Sequence, residues 1–225
     1  MSTLEERIEQ CTRVLQHVAQ SHRPARVASS LGPEDMVLTD LVYRSNLALD
    51  VFTLDTGRLP EATQRLLAQI QETYGRAPRV YFPQAQDVEA FVSTYGINGF
   101  YHSIEARRAC CGARKVFSLR RALAGAQAWV TGLRREQSPT RETLEEHAWD
   151  EEFGLVKYNP LLDWSRAQVW DYLKRFRVPV NALHDQGFAS IGCSPCTRAI
   201  GADEPERAGR WWWEHPTTKE CGLHR

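Results

Sequence analysis

Apolar positions along the chain come in short blocks whose period switches between helix-like and strand-like spacing. Leu4, Ile8, Val14, Leu15 and Val18 recur at near-helical intervals, so residues 3–21 predict an amphipathic helix. Residues 26–31 are short, partly apolar and compatible with a strand that ends at Gly32-Pro33. A helical pattern follows from Glu34 to about Arg44. The run DVFTL at 50–54 predicts a second strand, closed by Asp55-Thr56-Gly57. Pro60 then opens a helix to about Tyr74, in keeping with the preference for proline in a first helical turn. Residues 79–82 and 126–131 predict a third and a fourth strand, and 156–159 with the leucines after them a fifth. Further helices are expected over 87–95, 112–123 and 165–176.

Strands alternating with helices predict an α/β fold with a mainly parallel sheet flanked by helices. Ligands of such sheets bind beyond the carboxyl ends of the strands. That rule singles out the loops at 29–35, 55–58 and 131–141. From about Pro179 the strand–helix rhythm stops. The expected division is therefore an α/β domain over 1–178 and a cysteine-bearing extension and tail over 179–225.

Composition narrows the class. A chain of 225 residues suits one domain, or one domain with a functional tail. Lys plus Arg and Asp plus Glu both number 28, and the resulting zero net charge argues against a chain-wide nucleic-acid or acidic-membrane surface. No run of 18 apolar residues predicts a membrane span. The charged, amphipathic start lacks the apolar core of a secretory signal, so a reducing, cytoplasmic setting is expected. In that setting, closely spaced cysteines point to metal binding or redox chemistry more than to structural disulfides.

The cysteines carry the strongest signal. Cys110-Cys111 and Cys193-Ser194-Pro195-Cys196 offer four thiolates, a set that suits zinc or an iron–sulfur cluster. Adjacent helical side chains diverge by about 100°, which reaches two corners of a large cubane more readily than two corners of one small ion. The vicinal pair thus favours [4Fe–4S] and leaves zinc open. Cys221 lies near the end among Lys219, His224 and Arg225, cations that lower a thiol pKa and favour the thiolate. Cys11, on the first helix, is expected to be a packing residue.

Three further segments suit anions. Ser29-Ser30-Leu31-Gly32-Pro33-Glu34-Asp35 joins a strand to a helix, where small residues let backbone amides approach a phosphate. It lacks the Lys-Ser/Thr of a Walker loop, and a capped β–α turn would look similar. Arg134, Arg135 and Arg141 follow the fourth strand and could clamp an anion in bidentate fashion, or form a solvated loop. Arg207 and Arg210, three apart, share one face of a helical turn just before Trp211-Trp212-Trp213. Three consecutive tryptophans cannot all face one core, and packing is their default role.

Taken together the segments resemble one family: the iron–sulfur type of assimilatory adenylyl-sulfate reductases within the PAPS reductase family. The matching pieces are SSLGPEDMVLTDL, LDTGRLPEAT, RRACCGARKVFSLRRAL, VTGLRREQSPTR, NPLLDW, IGCSPCTRAI, GRWWWE and KECGLH, spread in order over nearly the whole chain. The resemblance implies an adenine-nucleotide alpha-hydrolase-like fold of the ATP pyrophosphatase type, in which the modified phosphate loop is 29–35. It implies reduction of adenylyl sulfate to sulfite and AMP with thioredoxin as electron donor, and a [4Fe–4S] cluster on Cys110, Cys111, Cys193 and Cys196. Cys221 would be the nucleophile, and His224 and Lys115 would assist. Ser29, Ser30, Gly32, Asp35, Arg141, Arg207 and Arg210 would bind substrate. Two departures stand out: Leu31 where many members carry an aromatic residue, and an arginine loop one residue shorter than usual. Competing expectations are the 3′-phosphorylated nucleotide as substrate, an ATP-dependent enzyme of the same superfamily, and a non-enzymatic iron–sulfur sensor. Oligomeric state is left open.

Overall fold

A computed structural model of the chain describes residues 2–137 and 141–215. Its elements in chain order are α1 (Leu4–Ser21), β1 (Ala25–Ala28), α2 (Pro33–Arg44), β2 (Asp50–Leu54), α3 (Glu61–Tyr74), β3 (Arg79–Tyr81), α4 (Ala85–Tyr95), α5 (Ile104–Cys111), α6 (Phe117–Leu123), β4 (Ala128–Val130), β5 (His147–Asp150), β6 (Leu155–Tyr158) and α7 (Arg166–Arg175). The strands form one sheet in the order β3-β2-β1-β4-β6-β5. β1 runs parallel to β2 and β4, and β4 parallel to β6, while β5 pairs antiparallel with β6 at one edge. The mainly parallel α/β fold expected from the alternation is therefore present.

The chain divides into two compact units that interleave along the sequence. The first comprises 1–53, 62–79 and 125–182; the second comprises 54–61, 80–124 and 183–225.

In the first unit the ends of α1 and α7 are set by capping boxes. Thr3 and Ser165 each accept from the third helical N–H, and Glu6 and Gln168 reach back to the cap N–H, which satisfies donors that a helix start otherwise leaves orphaned. α2 packs on α7 and is buried on nearly every side, the state expected of a helix whose apolar residues are not confined to one stripe. Its polar Asp40 is completely buried and fully engaged. It accepts from Tyr74 Oη at 2.5 Å, Tyr172 Oη at 2.7 Å and Arg44 Nε at 2.7 Å. Burial first, and then the Asp40 charge, raise both tyrosine pKa values, so both hydroxyls stay protonated as donors. Cys11 is fully buried in the same core, as its position on α1 suggested, and burial raises its pKa.

The second unit contains α4, α5, α6 and the irregular stretch from residue 183. The helix expected over 112–123 starts earlier, at Ile104, under an N-cap from Ser103. It passes through one π-helical turn over Gly112–Val116 before continuing as α6. Arg107 and Arg108 make its first turns polar, which hid the apolar period there. A second departure is β5, a strand that no pattern of apolar positions predicts. His147, Ala148 and Trp149 are exposed on this edge strand, so it lacks the buried alternation that marks a strand. Beyond α7 the described residues form only turns, 3₁₀ turns, bends and one isolated bridge.

Asp40→Ala would leave the Tyr74 and Tyr172 hydroxyls without their acceptor inside the fold. The expected loss is about 3 kcal/mol of unfolding free energy, from one unsatisfied donor each at ~1–3 kcal/mol. Urea denaturation of the variant against the parent protein measures it.

Candidate functional site

The four paired cysteines come together in the second unit. Cys110 and Cys111 are the last two residues of α5, immediately before the π turn. Single π turns in otherwise regular helices recur at functional sites. Cys193 precedes, and Cys196 closes, the short 3₁₀ turn Ser194–Cys196, where Cys196 N–H donates to the Cys193 carbonyl at 2.9 Å. All four are buried and share one apolar cluster with Phe91, Phe100 and Trp211. They line one recess together.

Cations rim the same recess: Arg58, Arg107, Arg114 and Lys115. Arg114 Nη1 donates to the Thr56 carbonyl at 2.8 Å, and its neighbour Gly57 has φ 68°, a left-handed conformation suited to glycine. Thr56 Oγ1 lies 3.2 Å from Cys193 Sγ. Burial raises the Cys110 and Cys196 thiols, the latter to about 12, with Cys193 adding to the effect on both. At Cys193 burial also pushes upward, but Lys115, the Thr56 hydroxyl, Arg210 and Arg114 together outweigh it and lower the pKa. The site thus combines two thiols that resist ionisation alone, Cys110 and Cys196, with cations that favour the thiolate at Cys193.

This donor set was tested against the two groups left open by the sequence. Among the described residues, no group of three or more His, Cys, Asp or Glu is placed to hold a metal ion. All four cysteines line one recess together with Arg58, Arg107, Arg114 and Lys115. That arrangement fits an extended anionic group ligated at its corners by four thiolates, which is how iron–sulfur clusters are held.

The first unit carries the strand-end loop. Ser29 continues β1, its N–H donating to the Phe52 carbonyl at 2.8 Å. Leu31 has φ 63°, an uncommon left-handed conformation for a branched residue, and Gly32 caps α2. Asp35 fastens the loop to the helix: its Oδ2 accepts from both Ser30 N–H and Ser30 Oγ at 2.6 Å. Burial raises the Asp35 pKa to about 6, against the lowering effect of Ser30 and with added repulsion from Glu34. Gly132 lies against this turn. A Cβ there would collide with the Asp35 carboxylate and come within 2.9 Å of Glu34 Cβ.

Each residue singled out from sequence can now be placed. Ser29, Ser30, Gly32 and Asp35 form one loop in the first unit. Arg141 is buried in that unit and bonds Gln137. Lys115 lines the cysteine recess. Arg210 is buried beside it, with its guanidinium packed on Gly192 and 4.7 Å from the Trp211 ring centre. Arg207 is half-buried in the preceding turn. Cys221 and His224 lie outside the described residues. The clamp of three arginines is corrected: Arg134 is completely buried against Glu34 at 2.7 Å, and Arg135 pairs with Asp163. The tryptophans separate as three in a row must. Trp211 is buried in the recess wall, Trp212 is 40% exposed, and Trp213 packs on Tyr101 at 4.5 Å. Thr56 and Arg58 fall in the 55–58 loop expected at a strand end, whereas Arg107 and Arg114 were not expected at the site. Arg107 and Arg114 stand four residues before Cys111 and four after Cys110, a helical spacing that could have flagged both.

The class that the fold defines is a mainly parallel α/β protein. A PAPS reductase from Candida auris, solved with phosphate, superposes with a TM-score of 0.72 at 23% identity, covering 89% of this chain and 98% of that one. An FMN adenylyltransferase from Candida glabrata gives 0.59 at 16% identity, covering 97% and 78%. Residues 24–199 match the phosphoadenosine phosphosulfate reductase domain, and the chain belongs to that family. Among sequence relatives, a protein of Allochromatium vinosum named adenosine 5′-phosphosulfate reductase is 56% identical over 88% of this chain and 77% of its own length. Proteins of the same name from Burkholderia cepacia and Neisseria meningitidis serogroup A are 49% and 50% identical, over 97% and 100% of this chain and 87% and 92% of theirs. No helix among the described residues is long and apolar enough to cross a membrane.

The raised Asp35 pKa has a thermodynamic sign. Below about pH 6 the folded protein holds a proton that the unfolded chain releases until near its ordinary value of 3.8. Stability contributed by this group therefore rises as pH falls through that window. Asp35→Asn should remove this slope between roughly pH 4 and 6, as read from unfolding curves of both proteins across that range.

Proposed function

We propose that this protein reduces adenylyl sulfate to sulfite and AMP, using a thioredoxin-type dithiol as donor, in the cytoplasm. The observation that carries the reading is the recess shared by four cysteines and rimmed by cations, in a chain about half identical to several proteins named adenosine 5′-phosphosulfate reductase. Cys110, Cys111, Cys193 and Cys196 would hold a [4Fe–4S] cluster. When bound, such a cluster supplies a fixed negative charge and a covalent tie between α5 and the 193–196 turn.

The chain's own residues carry the reaction. The loop of Ser29, Ser30 and Gly32, held in shape by Asp35, would receive the nucleotide phosphate at the start of α2. Arg141, Arg207 and Arg210 supply positive charge for an anionic substrate. The Cys221 thiolate attacks the sulfate sulfur. A sulfur–sulfur bond forms, the bond from that sulfur to the phosphate-bridging oxygen breaks, and its electron pair leaves with AMP. The product on the enzyme is S-sulfocysteine. A donor thiolate attacks Cys221 Sγ, sulfite departs with the electron pair of the sulfur–sulfur bond, and the donor's second thiol frees Cys221 as the donor disulfide forms. The donor thus provides both electrons. Lys115 would offset charge on the sulfate, and His224, three residues from Cys221, would assist the thiolate.

The test is mass spectrometry of the iron-loaded protein after incubation with adenylyl sulfate and no reductant. A sulfonate adduct on Cys221 is expected, and an unmodified Cys221 in active protein would overturn the scheme. Cys221→Ser should lose sulfite formation by a factor on the order of 10³ or more while keeping its iron. Turnover favouring the 3′-phosphorylated nucleotide would replace adenylyl sulfate by that substrate.

A further inference from the structure

The scheme gives the four buried cysteines and Cys221 no physical connection, yet one pair of side chains in the second unit provides it. Arg107 is completely buried on α5, one turn before Cys111. Its Nε donates to Glu214 Oε1 at 2.6 Å and its Nη2 to Glu214 Oε2 at 2.9 Å, a bidentate pair whose carboxylate side chain is only 4% exposed. The same guanidinium lines the recess beside Cys111 and stands 4.7 Å from the centre of the Trp211 ring. Arg107 therefore stands beside a cysteine of the centre, the recess wall and residue 214 at once.

The turn that ends at Glu214 is held at several points. Trp211 N–H donates to the Cys196 carbonyl at 3.2 Å, Thr197 and Arg210 form a bridge, and Glu214 N–H donates to the Trp211 carbonyl at 2.8 Å. Trp211 has φ 41°, a left-handed conformation that a bulky residue keeps only where its surroundings impose it. Cys221 follows Glu214 by seven residues. A buried ion pair adds little to stability compared with apolar packing of similar volume, so its better-attested use is to fix one arrangement among several.

We propose that Arg107 is a positioning residue: through Glu214 it fixes the start of the segment bearing Cys221 against Cys111. Cysteines that transfer no electrons then matter to the reaction because they anchor Glu214, seven residues before the nucleophile in sequence. This inference rests on the function proposed above.

The test compares iron-loaded parent protein with Glu214→Gln and Arg107→Lys. Three quantities are read: iron content, affinity for AMP, and the single-turnover rate of S-sulfonation of Cys221 with adenylyl sulfate. Glu214→Gln keeps the side-chain shape but loses the charge and one acceptor. It should retain parental iron content and AMP affinity while forming the adduct about tenfold more slowly. Arg107→Lys, which cannot form the bidentate contact, should do the same. An adduct rate in Glu214→Gln equal to the parent's would overturn the inference. So would loss of iron from Glu214→Gln, because the pair would then serve the centre itself. If Arg107→Lys fails to fold, Glu214→Gln decides alone. Absence of any adduct in the parent protein would instead reject the proposed function.

Discussion

Four thiols buried around one recess are the constraint on which the second unit depends. A buried thiolate is costly without a cation or a metal, and this recess places three arginines and a lysine at its rim. Those cations are costly in turn without anions. Arg107 is answered by Glu214, and Arg114 by the Thr56 carbonyl. The helix, the 55–58 loop and the 193–214 stretch are thus joined by polar contacts that all converge on sulfur. Few regular elements exist here to do that joining, since the described part of the extension contains no helix longer than a 3₁₀ turn.

The first unit solves a different problem with ordinary means. Two of its helices start in capping boxes, its core is apolar, and the buried Asp40 is paired. The cost is concentrated at one strand-end loop. There Leu31 is left-handed, Asp35 is held at a raised pKa, and Gly132 leaves no room for a side chain. Glu34, which would add unwanted negative charge, is neutralised by Arg134 inside the fold.

Much of this was legible in the sequence because the signals were local. The periodicity of α1, the DVFTL run of β2 and the helix after Pro60 announce themselves within their own residues. The cysteine spacing did the same for the buried centre. What escaped notice depended on distant partners. β5 is a strand only because β6 pairs with it, and its exposed side chains carry no apolar alternation. Arg134 looked like a substrate ligand until Glu34, a hundred residues away, was seen to occupy it. Thr56 reaches Cys193 across 137 positions, and Glu214 reaches Arg107 across 107, contacts that only the fold creates. The family resemblance compensated for this where spacing could not, since it carries long-range relationships within its motifs.

The central claim is that the buried cysteines hold one iron–sulfur cubane. Anaerobically prepared protein should contain about four iron and four sulfide per chain and give the Mössbauer spectrum of a [4Fe–4S] centre. Replacing Cys193 with Ser should lower both contents together. Stoichiometric zinc with no sulfide, in protein that still converts its substrate, would contradict the account.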